Sequence, residues 1–219
     1  SIRFVPIHYT TGTADTRPDL SPARLNDIKE YLHAIYPVDA IALSVRAEIA
    51  WDKPPINQGN FDFGTLVPAL RALKTADKAS PDVYYVGVVV PAPTYAGYCG
   101  GSCENGLAYV VKDATDVYGE YRVGGVVGYW DEGSLPVLAH ELGHLHGRNH
   151  SPCATANDET RDKLFPFADG GTHVWGYDER TKAFIPPSEG KDMMGNCKVR
   201  WMSSYTSQAI FDRLTAMAK

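Results

Sequence analysis

Residues His140 to His150 read His-Glu-Leu-Gly-His-Leu-His-Gly-Arg-Asn-His, and no other stretch restricts the fold of this chain as strongly. The spacing H-E-x-x-H asks for a helix, because positions four apart lie one turn above each other on one face. His140 and His144 can then direct imidazole nitrogens at one tetrahedral zinc ion. Glu141, beside His140, comes within reach of a water on that ion, which is where a general base belongs. Continuous helix would carry His150 away from the other two, so the helix must stop before it. Gly147 is where it stops, since glycine takes the left-handed conformation that ends helices without steric cost. Three histidine ligands leave a fourth position open, which distinguishes catalytic from structural zinc. His146 lies about 240° round the helix from His140 at about 100° per residue, and is expected to pack or face solvent. His8, His33 and His173 lack ligand spacing and read as structural or surface residues.

The chain before this stretch alternates strand and helix patterns. Arg3 to Tyr9 is a first strand, ending at Thr10-Thr11-Gly12. Ser21-Pro22 opens a helix with Leu25, Ile28, Leu32 and Ile35 as its buried stripe, ended by Pro37. Ile41 to Trp51 is a second strand, and Phe63 to Ala76 is a second helix through Leu66, Leu70 and Leu73. Asp82 to Val90 is a nearly continuous apolar run, which suits a strand buried on both faces. Gly106 to Val111 and Arg122 to Trp130 complete five expected strands. Ser134 is the expected N-cap of the ligand helix. Beyond His150 the chain is punctuated by Pro152, Pro166, Gly170, Gly171, Pro186, Pro187 and Gly190. A last helix follows near Ser204 to Lys219, with Ile210, Phe211, Leu214 and Met217 as its stripe. The expectation is one α/β domain over residues 1–219, with an upper lobe to about residue 150 and a loop-rich lower lobe from about 151.

Composition matters chiefly for what it excludes. A net charge of −5, with both signs interspersed, offers no basic patch for nucleic acid. No apolar run approaches the ~20 residues of a membrane span. The chain enters a strand pattern at once, without a signal peptide, and so reads as a mature or trimmed domain. The four cysteines admit three pairings. Cys99-Gly-Gly-Ser-Cys103 has the glycines that a local bridge needs. Cysteines as further zinc ligands are the alternative, although C-x3-C has no second ligand pair nearby.

Together with a later methionine turn, Asp192-Met193-Met194-Gly195-Asn196-Cys197, the eleven-residue motif resembles the metzincin clan of zinc endopeptidases. The resemblance implies a metzincin-like fold: a five-stranded mixed twisted sheet, the active-site helix, then a loop-rich lower lobe ending in a C-terminal helix. It makes Gly106 to Val111 the antiparallel edge strand on the cleft rim, where a substrate peptide binds as an added strand. Met194 is taken as the floor methionine, with Met193 as the alternative. A Cys153 to Cys197 bond would then staple the turn after His150 to that floor, beside the Cys99 to Cys103 bond. Chain entropy gives about 4 kcal/mol for the long loop and about 2 for the short one. Astacin-like and serralysin-like members carry a tyrosine two residues after the methionine, where this chain has Asn196. Phe165-Pro166-Phe167, Val174 to Asp178 and Trp201 to Thr206 look similar to bacterial secreted metzincins, some of which cut glycoproteins.

The expected function is secreted zinc-dependent peptide hydrolysis, with His140, His144 and His150 as ligands and Glu141 as base. A protein or peptide, or a glycoprotein, is the partner, and the chain is expected to be a monomer. Two disulfides place it in an oxidising compartment, extracellular before periplasmic. Asp158, Glu159 and Asp162 offer oxygen ligands for calcium, without a recognised motif, and a solvated acidic loop is the plainer reading. Trp175 and Tyr177 are read either as lining the primed side of the cleft or as packing the lower lobe. The rival is a catalytically weak or dead zinc module that binds protein or glycan.

Overall fold

A computed structural model describes residues 1–12, 14–153 and 160–218. Its elements are β1 (Ile2–Tyr9), α1 (Pro22–Ile35), β2 (Leu43–Val45), β3 (Ile49–Trp51), α2 (Phe63–Ala76), β4 (Tyr84–Val89) and a single turn α3 (Tyr95–Tyr98). There follow β5 (Gly106–Ala108), β6 (Val123–Val127), α4 (Ser134–Leu145), β7 (Gly176–Asp178), β8 (Ala183–Ile185), β9 (Lys191–Asp192), β10 (Arg200–Trp201) and α5 (Ser204–Met217).

The main sheet runs β2-β1-β4-β6-β5, with β3 also paired to β1, and every pairing in it is parallel except β5 against β6. It is the mixed sheet expected, with the antiparallel strand at the edge. The second expected strand is divided in two, so six segments make the sheet. The division falls at residues 46–48. The Arg46 guanidinium turns out to a forked ion pair with Asp77 at 2.7 and 3.0 Å, and Glu48 turns to Arg17 at 2.9 Å.

Both faces of the sheet are covered, which is why every residue of β4 and β6 is buried. Alternation along β1 sends Phe4 to one side and Val5 and Ile7 to the other. On the first face Phe4, Val86, Val88 and Val126 meet Ile28, Leu32 and Ile35 of α1 and Leu138, Ala139, Leu142 and Leu145 of α4. On the second, Val5, Ile7, Val89 and Val127 meet Phe63, Leu66 and Leu70 of α2. Helix α4 is therefore clamped by apolar contacts, and the Tyr36 hydroxyl donates to the Ala139 carbonyl at 2.6 Å as a further tie.

Three expectations change in detail. Ser134 is the first helical residue of α4 and is buried, while Gly133 is the cap, at φ +106°. Phe211 is 52% exposed, so it does not belong to the buried stripe of α5. The neighbouring buried positions are Ile210 and Arg213, and Arg213 reaches back to donate to the His146 and Val111 carbonyls. Trp175 and Tyr177 are exposed on the β7–β8 hairpin, where both rings meet Phe184.

Candidate active site and metal centre

Helix α4 ends as the spacing requires. Gly147 stands at φ +82°, the Arg148 amide donates to the Gly143 carbonyl at 3.0 Å, and the Gly147 amide donates to the His144 carbonyl at 2.8 Å. This is a Schellman turn, and its left-handed residue is glycine for a second reason too. A Cβ there would stand 2.6 Å from Arg213 Nη2 and 2.8 Å from the Val111 carbonyl oxygen.

Past the turn, His150 is held by its backbone: its amide donates to the Thr160 carbonyl at 3.1 Å, and its carbonyl accepts from Asp162 at 2.7 Å. The Asp162 carboxylate pairs with Arg148 at 2.9 Å and accepts from the Tyr205 hydroxyl at 3.0 Å. That carboxylate is thus engaged in fixing the segment, and calcium has no support here. Asp158 and Glu159 lie outside the described residues.

The three imidazoles converge. His144 Nε2 lies 3.1 Å from His140 Nε2 and 3.0 Å from His150 Nε2. Nitrogens on a tetrahedral zinc would stand about 3.3 Å apart, given Zn–N bonds of about 2.0–2.1 Å. Each ring is also oriented by its other nitrogen. Nδ1 of His140 donates to the Met193 carbonyl at 2.9 Å, Nδ1 of His144 donates to the Arg148 carbonyl at 2.7 Å, and Nδ1 of His150 lies 2.8 Å from Thr160 Oγ1. Engaging Nδ1 leaves Nε2 as the ligand atom. Burial, with His144 nearby, lowers the pKa of His140 to about 3, which keeps its ring neutral with a lone pair available. The cluster fits a catalytic Zn2+.

Glu141 is buried beside the cluster, and its Oε2 has no hydrogen-bond partner. Burial, then the charge of Glu104, raises its pKa to about 8, while Arg200 opposes the shift. Gly106 of the edge strand passes directly over it: a Cβ on Gly106 would come within 2.8 Å of Glu141 Oε1. Edge strand, Glu141 and the three imidazoles share one open pocket of about 370 Å³, which Asn196 and Arg200 also line.

Below α4, Met193 and Met194 are both buried, and a Cβ on Gly143 would collide with Met194 Sδ. Their turn is joined to the segment after His150 by the Ser151 amide on the Met194 carbonyl at 3.1 Å and the Asn196 amide on the Cys153 carbonyl at 3.3 Å. The Cys153–Cys197 disulfide closes the same junction, and Cys99–Cys103 is bonded at the cleft rim. Asp192, fully buried, accepts from the Met194 amide at 2.9 Å and from the Ser203 amide at 3.0 Å, so it ties this turn to the start of α5. His146 faces away from the cluster and stacks on Tyr84 at 4.9 Å. Arg200 was not found by sequence reasoning, since it lies in no spaced motif, and Asp192 was read only as the start of the methionine turn, without its tie to Ser203. Trp175 and Tyr177 do not line the pocket.

The Peptidase M66 family model matches residues 107–210, a stretch that holds the edge strand from Leu107 on, the His140–His150 motif and the methionine turn. The chain is a zinc metallopeptidase. Its fold is similar to that of archaemetzincin from Methanopyrus kandleri, at 14% identity and a TM-score of 0.52, over 98% of this chain and 94% of that one. A zinc-dependent peptidase from Methanocorpusculum labreanum is similar at 15% identity over 69% of this chain and 83% of that one, with a TM-score of 0.33 too low to argue from. No curated protein matches the chain. The fold is thus archaemetzincin-like, and no helix among the described residues is long and apolar enough to cross a membrane.

Proposed function

We propose that the protein is a secreted endopeptidase in which His140, His144 and His150 hold the zinc and Glu141 is the general base. One observation carries this reading: three buried or half-buried imidazoles present Nε2 at 3.0–3.1 Å separations, beside a buried carboxylate with an unpartnered oxygen. Zinc, when bound, supplies Lewis acidity that polarises a scissile carbonyl and eases loss of a water proton.

The chain's own residues do the rest. β5 has a free edge on its cleft side among the described residues, so a substrate peptide can pair with it as an added strand. Gly106 lets that strand, and the peptide on it, approach Glu141 without a side chain between. The Glu141 carboxylate, with an unpartnered oxygen beside the three imidazoles, accepts the proton of the attacking water and can return it to the leaving amine. Met194 forms the floor beneath α4, and Asn196 in the usual tyrosine position is given no step. The domain spans residues 1–219 as a monomer, and its two disulfides suit an extracellular site.

The test is cleavage of casein or of a random peptide library, with and without a chelator. Cleavage that stops on chelation and returns with added zinc is expected. Stoichiometric zinc binding without any cleavage would leave a binding module instead.

A further inference from the structure

The pocket contains one Lys or Arg among its described lining residues, and the reaction scheme does not use it. Arg200 stands on β10, which pairs in parallel with β9, the strand whose Asp192 leads into the Met193-Met194 turn. Its position is therefore fixed by the same framework that supports the histidines.

Arg200, like Arg161 outside the pocket, differs from most of the partly buried or ion-paired arginines. Arg46, Arg148 and Arg180 pair with Asp77, Asp162 and Asp178, and Arg122 donates to backbone carbonyls. Among the described residues no side-chain hydrogen bond or ion pair is made by Arg200, although it is only partly exposed. Withdrawing a guanidinium from water without giving it an acceptor is unfavourable, and an arriving anion relieves that cost through charge-assisted, often forked, hydrogen bonds. The two walls of the cleft also differ in sign. Glu104, just before β5, stands on the edge-strand wall, while Arg200 comes from the C-terminal part of the chain. A peptide extended along β5 sends successive side chains to opposite sides, so one set is directed toward the Arg200 wall.

We propose that Arg200 is a specificity residue of this cleft and pairs with an aspartate or glutamate side chain of the substrate next to the scissile bond. The assignment rests on the peptidase reading above. Arginine suits it better than lysine would, because its planar fork matches both oxygens of a carboxylate.

The zinc-loaded enzyme is tested on matched peptides that differ only by Asp for Asn, or Glu for Gln, on either side of the cleaved bond. The native protein is expected to prefer the acidic peptide by about 10- to 100-fold in kcat/KM, expressed mainly in KM. Arg200→Gln should bring that ratio near one, and Arg200→Glu should turn the preference toward lysine. The reversal is a gain that a misfolded variant cannot produce. An acidic preference that survives Arg200→Gln, or none in the native enzyme, overturns the assignment. So does an equal loss of kcat on every peptide, which would place Arg200 on the reacting carbonyl. Failure of the native enzyme to cleave any peptide overturns the peptidase reading and this one with it.

Discussion

His140 and His144 reach the site by a different kind of construction from His150. The first two stand on α4, whose Leu138, Ala139, Leu142 and Leu145 are locked into the core beneath the sheet. The third follows a glycine turn and is held by backbone hydrogen bonds to Thr160 and Asp162, one ion pair and a nearby disulfide. Apolar packing spreads its support over many contacts, and no single polar change should undo it. A segment held by a few polar links depends on each of them. The zinc site is thus rigid on one side and conditional on the other.

The largest expected effect is common to both sides. His150→Ala should remove stoichiometric zinc and all detectable hydrolysis, as His144→Ala should, while circular dichroism shows α4 still folded. Loss of helix in the His150 variant would mean that the two sides are not separate.

Removing the two disulfides separates the regions more sharply. Replacing Cys153 and Cys197 together by serine should cost about 4 kcal/mol and weaken zinc binding, against about 2 kcal/mol for the Cys99 and Cys103 pair. Equal losses in denaturant titrations would contradict the special place of the first bond. Gly147→Ala should cost about 1–3 kcal/mol, from left-handed backbone strain and the crowding against Arg213 and Val111. Its zinc affinity should fall while the α2 face of the sheet keeps its hydrogen-exchange protection; loss of protection on both faces would show the turn to be part of the core. Phe211→Ser, on the exposed face of α5, should change stability by less than about 0.5 kcal/mol. A larger melting shift would put that face in contact with something the account omits.

The same contrast explains how much the sequence disclosed. Local rules reach what local rules build: the 3.6-residue repeat exposed α1, α2 and α4, the apolar runs exposed β4 and β6, and the spacing from His140 to His150 required the break at Gly147. The edge strand and its antiparallel sense followed from the resemblance to the metzincin clan, not from the residues of that strand. Other features depend on partners far along the chain. Arg213 occupies a buried position because the Val111 and His146 carbonyls await it, and Phe211 is left exposed for lack of a facing surface. Arg46 leaves its strand for Asp77, 31 residues on. Asp162 looked like part of an acidic loop until Arg148 and Tyr205 closed on it. Arg200 carries no spacing signal, because its place in the cleft is set by β9 and the methionine turn.

The central claim is that the three histidines hold the metal and Glu141 moves the proton. It is tested most directly by measuring zinc content and peptide cleavage together on Glu141→Ala. The account predicts one zinc per chain, as in the native protein, with hydrolysis reduced by about 10^2- to 10^4-fold. Cleavage at the native rate by that variant, with zinc still bound, would contradict it.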